Sequence, residues 1–186
     1  MAHDTSTGDS SRRPHELEHL SIAELYALGD ERVRQLLAAF LPLTHASEIG
    51  VWVKDPDAEQ LVALFDTSGP AGGLEMKVRQ PLNTGIISEV YCEQKEFVDQ
   101  GVWHSAKHSD LVDKALNQVT QNEMCVPMTV GSHRFGVMTA VQLTDARHGE
   151  PTRWGFDEDD LRVLAVAALA VGVALERALL IRGLPR

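Results

Sequence analysis

The chain has 186 residues, 44% hydrophobic and 24% charged, with a formal charge of −10 and two cysteines. This composition supports one ordinary domain with a full core and excludes wholesale disorder. Its basic residues are scattered among more numerous carboxylates, so neither nucleic acid nor an anionic membrane is an expected partner. Cys92 and Cys125 make no disulfide framework and no CxxC pair.

Residues 1 to about 14 are polar and contain no apolar stretch of a signal peptide, so residues 1–20 are expected to be a poorly ordered tail on a cytoplasmic protein. His15-Glu16-Leu17-Glu18-His19 matches H-E-x-x-H, in which two histidines one helical turn apart bind zinc. A catalytic zinc needs a third ligand and a supporting shell, and a motif just behind such a tail reads as a chance match.

Ser21, with Glu24 three residues on, predicts a capping box. Ile22, Leu25, Tyr26, Leu28, Val33, Leu36, Leu37 and Phe40 then recur at helical spacing; Gly29-Asp30 is a candidate break, and Pro42 ends the run. Glu48–Lys54 alternates Ile49, Val51 and Val53 against Glu48, Gly50 and Trp52, which predicts a strand. Asp55-Pro56-Asp57 turns it into a second strand over Leu61–Phe65. Glu75–Arg79 is expected to be a short strand, and Pro81–Gly85 to open a helix over Ile86–Tyr91 capped by Thr84.

Glu96–Val98 reads as a short extended piece, and 99–121 as polar and partly helical. Glu123–Val130 and Phe135–Leu143 predict a hairpin about Gly131–Arg134. Phe156–Ile181 predicts one long helix with Asp157, Glu158, Asp159 and Asp160 in its first turn. Its run Val163–Leu175, bounded by Arg162 and Glu176, is apolar or glycine all round and shorter than the roughly 20 residues of a membrane span. One sheet face covers only one stripe of a helix, and Ala170, Ala174 and Ala178 form a thin edge for close approach. Homodimerisation through this helix and residues 22–40 is therefore expected.

The order helix, strands, short helices, strands, helix predicts an α+β domain on an antiparallel sheet. In that order, Ala46–Val53, Leu61–Leu64, the segment Pro81-Leu82-Asn83-Thr84-Gly85-Ile86, Phe97-Val98-Asp99, and Met124-Cys125-Val126-Pro127-Met128 followed by Gly131 and Gly136-Val137-Met138 resemble the GAF domain family. The resemblance covers roughly residues 25–181, within a domain placed at 21–183. It implies about six antiparallel strands with the terminal helices on one face. Short helices and loops over the other face would enclose a ligand pocket. It further implies a sensory or regulatory role with an unknown small molecule and an unknown signalling partner; fold analogy names no ligand or cofactor.

The pocket candidates are Phe97, Trp103, His104, His108, Cys125, Met138 and Thr139, with the Trp103, His104 and His108 cluster suited to a planar ligand or a haem. Bilin attachment in the family uses Cys followed by His, whereas Glu93 follows Cys92 and Val126 follows Cys125. The cyclic-nucleotide pattern is matched only at Phe156 and Asp160. One branch resembles free methionine sulfoxide reductases, but Gly101–Ala106 lacks that branch's cysteine. A redox enzyme and a ligand-free dimerisation unit are the alternatives to a sensor. No nucleophile elbow, phosphate loop or other catalytic constellation is found.

Overall fold

The computed structural model describes residues 20–68, 74–105, 108–144 and 151–182. The HELEH segment at 15–19 lies outside them. Helix α1, Ile22–Phe40, starts at the expected capping box: the Ser21 hydroxyl accepts from the Glu24 N–H and the Glu24 carboxylate accepts from the Ser21 N–H. The helix runs through Gly29 without a break. A side chain there would stand 2.4 Å from the Phe65 ring, so the glycine lets α1 lie close against the sheet. A 3₁₀ turn, Leu41–Leu43, follows the helix and carries Pro42.

Six strands form one antiparallel sheet: β1 Glu48–Lys54, β2 Gln60–Asp66, β3 Arg79–Pro81, β4 Phe97–Gln100, β5 Thr120–Val130 and β6 His133–Leu143, in the order β3-β2-β1-β6-β5-β4. The strand expected at Glu75–Arg79 is instead a turn with Met76 at φ 61°, and the regular ladder begins at Arg79, although the Met76 N–H and the Val78 carbonyl already bond Ala63. Tertiary bonds override the alternation there. Glu75 is buried and accepts from Arg34 Nη2 (2.7 Å), Arg34 Nε (3.1 Å) and the Tyr26 hydroxyl (2.8 Å). Burial pushes the Glu75 carboxyl up, but Arg34, Tyr26 and the Asp66 N–H outweigh it and hold the group below its ordinary value. A register shift after Val51 turns Phe65 toward α1, where it stacks on Tyr26 at 5.4 Å.

Helix α2, Ile86–Glu93, begins at Gly85 with φ 81° and no side-chain cap, so Thr84 does not play the part expected of it. A 3₁₀ turn, Val102–His104, and helix α3, Leu111–Leu116, lie in the polar segment before β5. Helix α4, Glu158–Arg182, closes the fold. Alternation splits the strands between two cores. Ile49, Val51, Val53, Val62, Leu64, Met124, Val126, Met128, Met138 and Ala140 pack under α1 and α4. Trp52, Leu61, Ala63, Cys125 and Val137 pack on the other face with Ile86, Ile87 and Val90 of α2.

Leu164, Ala167, Ala168, Val171, Gly172 and Leu175 are the buried side of α4. Its closest approach to the sheet is at Gly172, where a Cβ would lie 2.3 Å from the Thr129 carbonyl. Ala170, Ala174 and Ala178, the row expected to meet a second helix, are half-buried and lie off this sheet-facing edge. The membrane reading also changes in one respect. The helix continues past Glu176-Arg177 to 25 residues, and by length and composition alone it is long and apolar enough to cross a membrane, with 33% of its most apolar stretch buried. Its outward side still exposes Val166, Leu169, Val173, Leu180 and Ile181.

Candidate functional site

The face opposite α1 and α4 holds a small hollow whose floor follows from strand register. Glu48, Val141 and Glu123 lie in one row across β1, β6 and β5, and Gly50, Thr139 and Cys125 lie in the next. Because successive residues alternate faces, Glu48, Gly50 and Trp52 are directed here by the same pattern that sends Ile49, Val51 and Val53 to the helices. Ile86 and Ile87 of α2, His108, and Val112 and Asp113 of α3 complete the walls. The hollow has a volume of about 40 Å³. That is room for about three or four waters at roughly 10–15 Å³ each.

The lining is unusually acidic for a buried surface. Glu48, Asp66, Asp113 and Glu123 all face it, and His108 is its one basic side chain among the described residues. Glu48 accepts from the Ser68 hydroxyl and Asp66 from the Leu74 N–H. Asp113 accepts from the Thr120 hydroxyl (2.7 Å) and N–H (3.0 Å) and lies 3.3 Å from His108 Nε2. That contact raises the His108 imidazole above its ordinary value. Burial pushes Asp113 up, but His108 and Thr120 outweigh it and hold the carboxyl low. Glu123 has weaker company. The Cys125 thiol, 3.4 Å away, is its hydrogen-bond donor among the described residues, and burial pushes its carboxyl up to about 7.

Of the residues proposed from sequence, the structure brings His108 and Thr139 to the hollow. Cys125 and the half-buried Phe97 are cross-strand partners in the apolar cluster beside it. Met138 points to the opposite face and packs in the helix-side core, one residue out of phase with Thr139. His104 is exposed on its 3₁₀ turn, away from the lining residues, and the side chain of Trp103 lies outside the described part. Burial and the neighbouring Glu123 push the Cys125 thiol well above its ordinary value, which removes the thiolate a redox nucleophile needs. Asp160, matched to the cyclic-nucleotide pattern, caps α4 by accepting from the Asp157 N–H and pairs with His45 and Arg153.

The reading from sequence missed Trp52, Glu48, Asp66, Asp113 and Glu123. For Glu48 and Trp52 the signal was the strand alternation itself, and for Glu123 a carboxylate heading an apolar strand. Asp66 and Asp113 left no local signal. No group of three or more His, Cys, Asp or Glu among the described residues is arranged to hold a metal ion.

A family model described as GAF domain matches residues 30–176, and no curated protein gives a significant match. Among solved structures, the chain resembles the GAF domain of an Acinetobacter phosphoenolpyruvate-protein phosphotransferase at TM-score 0.62 and 10% identity, over 93% of this chain and 94% of that one. The GAF domain of a Bacillus halodurans two-component sensor histidine kinase gives TM-score 0.61 at 13% identity, over 82% and 97%. A free methionine-R-sulfoxide reductase from Neisseria meningitidis, solved with its substrate, gives 0.55 at 17%, over 96% and 92%. At these identities the likeness is one of fold, while the family model spans most of the sequence. The chain belongs to the GAF domain family.

Proposed function

We propose that the chain is a cytoplasmic sensory module that binds a small molecule in the polar hollow and signals as a homodimer. The observation that carries this reading is the division of labour across the sheet. One face encloses an acidic hollow, and the helix on the other turns an unpartnered apolar row outward. Val166, Leu169, Val173 and Leu180 follow the 3–4 spacing of a helix-pairing seam and are 42–65% exposed. Burying the exposed half of each contributes about 1 kcal/mol, or about 8 kcal/mol over two protomers. This is of the same order as the cost of association, so these four residues alone fall short of a micromolar dimer and residues 22–40 must supply the rest of the interface.

A connection between the two faces supports signalling. Gln100, at the end of β4, donates from Nε2 to the Phe156 carbonyl (2.6 Å) and accepts from the Phe156 N–H (3.2 Å). The preceding residue, Asp99, pairs with Glu123 across the ladder. A shift of the strand pair around a ligand is thus bonded to the residue two positions before α4. Helix α3, none of whose residues is buried, is the wall best able to give way.

Sedimentation velocity tests the dimer, with Leu169→Glu expected to give a monomer of unchanged circular dichroism. Wild-type protein that stays monomeric at micromolar concentration, or partitions into vesicles through α4, refutes it. Native mass spectrometry of small molecules that co-purify tests the sensor, and a hollow that captures nothing leaves only the structural dimerisation unit.

A further inference from the structure

The hollow carries more chemical information than its size suggests. Trp52 is 1% exposed, and its indole N–H has no hydrogen-bond partner among the described residues. Gly50 leaves the space in front of it clear. A Cβ at Gly50 would stand 3.5 Å from Trp52 Nε1 and 3.1 Å from the Thr139 hydroxyl, and all three residues line the hollow. A buried donor left unpaired costs about 1–3 kcal/mol, so a donor held there calls for an acceptor.

The charge at the other end of the hollow is predominantly negative, with His108 the one basic side chain among the described lining residues. Asp113 is committed to His108 and Thr120, while Glu48 and Asp66 accept from Ser68 and Leu74. Among the described residues Glu123 receives only a thiol, a weak donor, and a carboxylate has about four acceptor positions. An anion, including any phosphate ester, meets four carboxylates with no lysine or arginine among the lining residues. A metal ion fits no better. The carboxylates are spread around the walls rather than gathered into a coordination set, and a bare cation offers nothing to an indole N–H.

We propose that this hollow recognises a small organic cation, an amine, amidine or guanidine, whose charged N–H group donates to Glu123 and whose nearby neutral oxygen or nitrogen accepts from Trp52 Nε1. The assignment rests on the ligand-binding reading above and specifies its chemistry. The Glu48–Val141–Glu123 row and the Gly50–Thr139–Cys125 row are two residues apart along the strands. The Glu123 and Gly50 positions are therefore about 7 Å apart along the strands and about 10 Å, two strand spacings, apart across the sheet, and the Glu123 side chain and the Trp52 indole both line the hollow between them. Such a ligand is larger than the hollow's volume of about 40 Å³ and pushes α3 outward.

Equilibrium dialysis of the full chain at pH 7.5 tests this, against one pool holding agmatine, histamine and ethanolamine and a second holding cyclic AMP, cyclic GMP and citrate, with mass spectrometry of both chambers. At least one member of the cation pool is expected to concentrate on the protein side and no anion is. Glu123→Gln and Trp52→Phe, which keep side-chain shape, are each expected to weaken that binding at least tenfold while circular dichroism and the melting transition show an intact fold. Concentration of an anion that Trp52→Phe abolishes overturns the cation assignment and leaves the hollow a ligand site. Cation binding that survives both substitutions places the ligand elsewhere and also overturns it. No concentration from either pool overturns both readings, and the hollow then holds water only.

Discussion

Replacing Glu123 by glutamine changes little in shape and removes the one carboxyl that burial drives up to about 7. Its ordinary value is 4.5. The folded chain therefore keeps a proton that the unfolded chain has already lost, and stability falls as pH rises from 4.5 to about 7, then levels off. Tenfold in proton affinity is worth about 1.4 kcal/mol, so ionising Glu123 costs the fold about 3 kcal/mol once the pH is well above 7. His108, raised by Asp113, acts in the same direction, because its contribution is lost as pH rises through its folded value. It is present in both proteins, with Asp113 as the main cause of its shift, but Glu123 also raises it, so the substitution trims the His108 contribution slightly rather than leaving it unchanged. Urea unfolding of wild type and Glu123→Gln between pH 5 and pH 8 measures that difference. The glutamine variant should gain on wild type by about 2 kcal/mol across the range, approaching about 3 kcal/mol in total at the alkaline end. A difference that does not change with pH would refute the claim that the carboxyl is buried without a charged partner of its own.

Gly172→Ala places a methyl carbon 2.3 Å from the Thr129 carbonyl, a backbone atom that cannot swing aside. The clash outweighs the roughly 1 kcal/mol gain in helix propensity, and a net loss of about 1–2 kcal/mol is expected by thermal unfolding. Arg34→Met strands the buried Glu75 carboxylate and should cost about 3 kcal/mol at pH 7. Because Glu75 is held low in the fold, that loss should shrink in urea titrations as pH falls below 4.5. Native protein exposed to iodoacetamide should take one label, at the exposed Cys92, and two only after unfolding; rapid native labelling of Cys125 contradicts its burial.

Much of the architecture was legible along the chain because it rests on local rules. The Ser21–Glu24 box, the alternation of Glu48–Lys54, the hairpin around Gly131 and the acidic start of α4 each arise from neighbours a few residues apart. Where a distant partner intervened, the local reading failed. Gly29 is not a break because Phe65 lies against it, and Glu75 leaves the strand it was expected to join because Arg34 and Tyr26 claim it.

The site divides in the same way. Residue types by themselves drew attention to Trp103, His104 and His108, the aromatic and imidazole groups that usually bind ligands. Only His108 reaches the hollow among the side chains described there. Trp52 and Glu123 looked like ordinary strand residues until register set the Gly50–Thr139 row between them and left an indole N–H without an acceptor among the described residues. The sequence by itself determined which residues lie on which face of each strand and helix, because that depends on a period of 2.0 or 3.6 residues. Only the tertiary structure decided which faces meet and which polar groups are left unpaired, because burial and hydrogen-bond satisfaction depend on partners distant in the chain.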